Sequence, residues 1–247
     1  MKTSTFLIII ILIFSSTCTA TAQPAKITLA THNLCPYGCY DENGIFDGCA
    51  VRVVKYAFNK MNIKLNIVVV PWIRAQRLAK DGKVDGFFAA SKSEDRDQYG
   101  VQSAIIAEQR WNWYMLQENP LDPASEHFKK RATVASFRGS NMLKWLKANN
   151  YNATSSPPTT EHLLNMLLLK RFDAMLANDM VMTDKILKHN IHNRLKIITL
   201  LSKPLGVYFS KNFINENPDF LSQFNKHVEK YMKDHPLPLN LFACPLL

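Results

Sequence analysis

Two periodicities alternate along this chain, and their order restricts the fold more than any single motif does. Lys26 to Ala30 (KITLA) alternates apolar and polar residues as a short strand does. From Cys49 to Asn62, Val51, Val54, Phe58 and Met61 fall on one stripe of an amphipathic helix. Leu65, Ile67 and Val69 alternate again. Pro71 suits a helix first turn, so Trp72 to Lys80 is a second helix, stopped by Asp81-Gly82. Val84 to Ala90 is an apolar run of strand length. Strand, helix, strand, helix, strand predicts a parallel sheet covered by helices.

The pattern then restarts. Ala132 to Phe137 reads as a strand, and Gly139-Ser140-Asn141 opens a helix carrying Met142, Leu143, Trp145 and Leu146. Tyr151 to Thr160 is a polar, proline-broken loop. Glu161 to Arg171 is helical, Phe172 to Ala177 a strand, and Val181 to His189 a helix. Leu195 to Leu200 and Gly206 to Ser210 are strands. Pro218 to Lys233 is a last helix, with Asn217 as its cap and Leu221, Phe224, Val228 and Tyr231 on one face. The result is two α/β units in series, and a cleft between two such units is where small ligands bind.

The N-terminus has the parts of a secretory signal: Lys2, the apolar run Phe6 to Phe14, and the small-x-small site Ala20-Thr21-Ala22. Residues 1–22 are therefore expected to be cleaved, leaving Gln23 first. The apolar run is shorter than the ~18–20 residues of a bilayer span, which disfavours an anchor. Ser15-Ser16-Thr17 is a poor approach to a lipidated Cys18. The mature chain then holds Cys35, Cys39, Cys49 and Cys244, an even number in an oxidising compartment, which points to disulfides in one of three pairings. Zinc is the competing reading, but Cys-x3-Cys is not a usual zinc spacing. His189 and His192 lack neighbouring acids or cysteines and read as a helix-end pair rather than a metal site.

Formal charge is +10. The lysines are scattered, the densest cluster being Lys129-Lys130-Arg131, and no nucleic-acid motif accompanies it. A solvated basic surface is expected, with no nucleic-acid partner and no cofactor or metal.

Taken in order, ITLATHNLCPY, GIFDGCAVRVVKYAF, PWIRAQRLAKDGKVDGFFAASKSEDR, RGSN, RFDAMLAND and PLGVYFSK resemble the family 3 extracellular solute-binding proteins, which serve ABC importers of polar amino acids. The resemblance implies a two-lobed periplasmic binding protein of the Venus-flytrap type, a monomer with an inner-membrane permease as partner. Lobe 1 is expected from residues 23–111 and 206–247 and lobe 2 from 112–205. Hinges are expected near Trp111 to Met115 and Leu205 to Tyr208. Cys35–Cys39 resembles a CPYxC feature of some relatives. Cys49–Cys244 would then tie the tail to the first helix, the other pairings remaining open.

The family's site carries over residue by residue. Arg96, in Ser91-Lys92-Ser93-Glu94-Asp95-Arg96, matches the arginine that holds a ligand α-carboxylate, where a guanidinium fork returns two charge-assisted bonds to a desolvated anion. The alternative is a surface arginine beside Asp95 and Asp97. Ser91 matches a hydroxyl donor to the same carboxylate, and Ser140 and Asn141 a lobe 2 position that completes the clamp. Trp72 matches an aromatic wall, with core packing as its alternative. Arg74 faces either the cleft or solvent.

Three departures bear on specificity. His32 stands where the family usually has Asp, and an imidazole in a cleft predicts pH-sensitive binding near neutrality. Leu34 replaces a common aromatic. The carboxylate that usually takes the ligand ammonium falls on Asn178, with Asp179 next to it, so a carboxylate without a free amine, or a modified amino acid, is admitted. Ser91, Ser140 and Ser210 carry no nucleophile motif, and no catalysis is expected. Lytic transglycosylases of this fold need an added domain for which a chain ending at Leu247 leaves no room. The competing functions are a transport receptor, a sensing protein without an importer, and a dehydratase on the same scaffold.

Overall fold

The computed structural model describes residues 24–235, and the alternation predicted from sequence is present in it. The first unit runs β1 (Lys26–Thr31), a short hairpin of β2 (Cys39–Tyr40) and β3 (Phe46–Asp47), α1 (Cys49–Lys60), β4 (Lys64–Val69), α2 (Trp72–Lys80), β5 (Gly86–Ser91), α3 (Glu94–Asp97) and β6 (Gly100–Gln102). The second runs β7 (Arg110–Leu116), α4 (Glu126–Arg131), β8 (Thr133–Ala135), α5 (Asn141–Ala148), β9 (Asn152–Ser155), α6 (Thr160–Leu168), β10 (Ala174–Asn178), α7 (Asp179–His189) and β11 (Leu195–Ser202). The chain then returns to the first unit with β12 (Leu205–Ser210), α8 (Lys211–Glu216) and α9 (Phe220–Asp234).

Each unit has a five-stranded sheet, ordered β4-β1-β5-β12-β6 in the first and β11-β7-β10-β8-β9 in the second. Reversing the second order aligns β9, β8, β10 and β7 with β4, β1, β5 and β12. The sheets are mixed rather than purely parallel: β1 pairs in parallel with β4 and β5, but β12 runs antiparallel to β5, as β7 does to β10. One device recurs in both. Asp85 accepts from Thr28 N at 2.7 Å and donates its own N–H to Thr28 O at 2.9 Å. Asp173 does the same with Thr133, at 2.7 and 2.9 Å. An aspartate entering the third strand thus fixes the start of the first.

The predicted stripe of α1 is buried, and Phe58 meets Phe224 of α9 at 5.3 Å between ring centroids. Burial of such side chains contributes roughly 1.5–3 kcal/mol each, which is why two helices distant in sequence close one face of the first sheet. A second apolar cluster holds Trp72, Phe87 and Tyr208 from the first unit together with Trp111, Trp113, Phe137 and Met142 from the second, so apolar packing continues across the cleft.

The expected hinge segments Trp111 to Met115 and Leu205 to Tyr208 lie within β7 and β12. The chain passes between the sheets just before them, where Ala107 and Leu205 form an antiparallel bridge and Lys203 N donates to Gln109 O at 2.8 Å. The two crossings therefore run side by side.

Three local expectations differ. The supposed loop from Tyr151 to Thr160 contains β9, which pairs in parallel with β8 as an edge strand, where polar side chains are tolerated. α6 stops at Leu168 because Lys170 adopts φ 56°. α9 begins at Phe220 with Asp219 at its cap, because Asn217 ends α8 instead, its side-chain amide donating to Phe213 O at 2.9 Å.

Cys35 and Cys39 are joined by a disulfide. Cys49 opens α1 and is buried, while Cys244 and the signal segment lie outside the described residues. Among the described residues no helix is long and apolar enough to cross a membrane, and no cluster of metal-ligating side chains occurs.

Candidate functional site

Arg96 is the least ordinary residue of the fold: a guanidinium 1% exposed, on a one-turn helix. β5 ends at Ser91, and Ser93 caps α3 by accepting from Arg96 N at 3.4 Å. Tyr208 holds this turn from β12, accepting from Ser93 N at 3.1 Å and donating to Asp97 at 2.7 Å. The guanidinium packs over Trp72, 5.1 Å from its centroid, and over Phe87 at 5.8 Å. Its hydrogen-bond acceptors are neutral: Gln76 Oε1 takes Nε and Nη2 at 3.1 and 3.0 Å, and Ser91 O takes Nη1 at 2.6 Å. Asp95 is committed to Lys144 and Asp97 to Tyr208, so the surface-arginine alternative fails. Burial pulls the guanidinium down to about 10, which still leaves it cationic at neutral pH. A desolvated cation with no bonded counter-charge is costly unless something anionic completes it.

Around Arg96 closes a small cavity of about 20 Å³. From the first unit come His32, Leu34, Trp72, Ala89, Ser91 and Leu205; from the second Trp111, Phe137, Ser140, Asn141, Met142 and Asn178; from a crossing Gln109. Ala89 lies in β5 with φ 60°, where β12 pairs Gly206 with Ala90 and Val207 with Phe88 and skips it. This bulge holds a non-glycine residue in the left-handed region, a strain of about 1–3 kcal/mol that bends the strand beside the cavity.

Asn141 bridges the two units. Its Nδ2 donates to Ser91 Oγ at 2.8 Å and Ser91 O at 3.1 Å, from the first turn of α5. Ser140 stands beside it as the cap, accepting from Leu143 N at 3.0 Å. Lys144 pairs with Asp95 across the same opening, and Gln76 Nε2 reaches Gly139 O at 3.5 Å. Gly139, at φ +76°, lies so close to Ile73 that a Cβ there would be 2.5 Å from Ile73 Cγ1. The cleft is closed.

Several polar atoms lining this cavity are buried and unpartnered: both ring nitrogens of His32, Trp111 Nε1, Asn141 Oδ1 and Asn178 Oδ1. Buried polar groups are nearly always paired, so a cluster of five makes this cavity the candidate site. The His32 ring lies 4.4 Å from Trp72 between centroids. Desolvation, and then the charge of Arg96, pull His32 down to about 3. In this conformation the imidazole is held neutral.

Of the residues singled out from sequence, Arg96, Ser91, Trp72, His32, Ser140, Asn141 and Asn178 meet at the cavity. Asp179 does not. Its carboxylate accepts from Arg110 N and Arg110 Nε, each at 3.0 Å, and from Met180 N at 2.9 Å, tying α7 to the start of β7. Arg74 is exposed on α2. Sequence reasoning missed Gln76, one helical turn after Trp72, and also Gln109 and Trp111, whose only signal was their place beside a crossing.

Two sheets of matched strand order, joined by paired crossings around a polar cavity, define the class of two-lobed solute-binding proteins. The chain belongs to the bacterial extracellular solute-binding proteins, family 3, whose model matches residues 27–237. No curated protein sequence matches it. Among solved structures it is similar to an ancestral arginine-binding protein bound to arginine, with 21% identity and a TM-score of 0.71 over 87% of this chain and 95% of that one. It is also similar to an ABC uptake transporter substrate-binding protein from Streptococcus pneumoniae with bound histidine, at 17% identity and a TM-score of 0.72, covering 85% and 88% of the two chains. A histidine kinase sensor domain with similarity to periplasmic binding proteins aligns at 18% identity and a TM-score of 0.75, covering 85% and 92%. At these identities the likeness establishes the fold.

Proposed function

We propose that this protein is an exported receptor that captures a small carboxylate-bearing solute, an amino acid or a derivative of one, for an ABC importer. Arg96 carries the reading, as a buried cation whose bonded acceptors are all neutral. A ligand carboxylate there would receive the guanidinium fork, and Ser91 and the start of α5 would close over it. We assign residues 23–111 and 206–247 to a first lobe and 112–205 to a second, with the two crossings as hinges. The signal-like N-terminus and the Cys35–Cys39 disulfide support export to the periplasm, and the protein is assigned as a monomer that docks on an inner-membrane permease.

Sensing is the second reading, favoured by the likeness to a kinase sensor domain. A thermal-shift screen of amino acids, other carboxylates and neutral solutes tests the first claim. A carboxylate at 100 times its dissociation constant should add ~2.7 kcal/mol to stability. Stabilisation by neutral or cationic solutes alone would contradict it. Solute uptake in cells lacking the protein then separates transport from sensing.

A further inference from the structure

We infer that the ligand is an N-acylated α-amino acid, bound by its carboxylate at Arg96, with a neutral amide in place of the ammonium and its acyl group in the groove beside the cavity. This rests on the carboxylate reading above. No acidic side chain lines the cavity. Once a carboxylate neutralises Arg96, an ammonium beside it would be a second buried cation without a counter-charge, which disfavours it. The acids next to cavity residues are already engaged: Asp179 by Arg110, Asp95 by Lys144 and Asp97 by Tyr208.

The unpartnered atoms instead fit a neutral group that both donates and accepts. Asn178 is oriented by a relay: Gln109 Nε2 donates to Lys203 O at 2.9 Å, which turns Gln109 Oε1 toward Asn178 Nδ2 and leaves Asn178 Oδ1 as a free acceptor. Asn141 spends its amide hydrogens on Ser91 and Lys92, which leaves its Oδ1 as another. Trp111 Nε1 can only donate. A secondary amide supplies an N–H for the asparagine oxygens and a carbonyl for the indole, with no net charge. It also demands room for its acyl group. A groove of about 670 Å³ shares His32, Leu34, Trp72 and Phe137 with the cavity and continues along Val69, Pro71 and Val181. Thr159, Thr160, Glu161, Asp184, Lys185 and Lys188 complete its walls, so an acyl chain would lie on the apolar side formed by Val69, Pro71 and Val181.

The test is calorimetry on the purified protein with matched pairs: each standard L-amino acid, its N-acetyl form and its 2-hydroxy analogue. The expected result is one or more N-acetyl forms binding at least ~10-fold tighter than the free amino acid. In Asn178→Asp, which returns an acid to the cavity, the preference should swing toward the free amine by a similar factor. Wild-type protein that prefers the free amino acid or the hydroxy acid overturns the acyl assignment while the carboxylate reading stands. An unchanged preference in Asn178→Asp overturns the charge argument. Binding confined to solutes without a carboxylate overturns both readings.

Discussion

His32 shows how far a residue's environment moves it from its usual chemistry. Its pKa drops from 6.5 unfolded to about 3 folded, so the unfolded chain binds the extra proton between those values. The contribution to stability is full above pH 6.5 and is lost as pH falls toward 3. Arg96 is the charge nearest the ring, and Glu161, Asp184, Lys185 and Lys188 line the adjoining groove. Denaturant midpoints measured from pH 7 to 4 should fall more steeply for wild type than for His32→Gln, a difference of up to several kcal/mol. Parallel curves would mean that the ring is hydrated in solution. At this scale the sequence was informative about residue type and poor about partners. It placed Arg96, Ser91 and Asn141 at the site through their motif context. It could not reveal that Arg110 takes Asp179, because that pair joins positions 69 apart in the chain.

At the scale of elements, the apolar stripes of α1 and α9 were legible because each buries one face against a single partner layer. β9 was not, because an edge strand needs no apolar alternation and its sequence, Asn152–Ser155, carries turn-forming residues. The closing of the cleft was equally hidden, since it depends on how α2 meets the turn before α5. Gly139 sits at that meeting point. Gly139→Ala should oppose closure twice, through a left-handed backbone costing about 1–2 kcal/mol and through the clash with Ile73. Small-angle scattering should then show a larger radius of gyration than wild type, with ligand affinity reduced. Adding Ile73→Ala should recover part of the loss by removing the clash. Identical scattering and affinity in Gly139→Ala would show that the turn gives way at no cost.

For the whole molecule, capture follows from geometry that neither lobe has alone. The cavity of about 20 Å³ is near the size of one water, so a solute must enter a more open form and closure must re-form around it. The exposed Lys144–Asp95 pair adds little, ~0–1 kcal/mol, so the closed state is not sealed by it. On the proposed reading, the differential affinity that favours closure with solute would come from contacts made in both lobes at once, at Arg96 and Ser91 on one side and Asn141 on the other. The two-unit plan was legible because the alternating pattern restarts, whereas the crossings were not, since residues 103–109 carry no periodic signal. The most direct measurement is calorimetry of a carboxylate ligand with wild type, Arg96→Lys and Arg96→Ala, with far-UV spectra confirming intact folds. Loss of one partner of a desolvated charge pair should weaken binding by ~2–5 kcal/mol in Arg96→Ala, roughly thirty- to several-thousand-fold, and Arg96→Lys should keep the charge yet lose much of the affinity. Wild-type affinity in a folded Arg96→Ala would contradict the central claim.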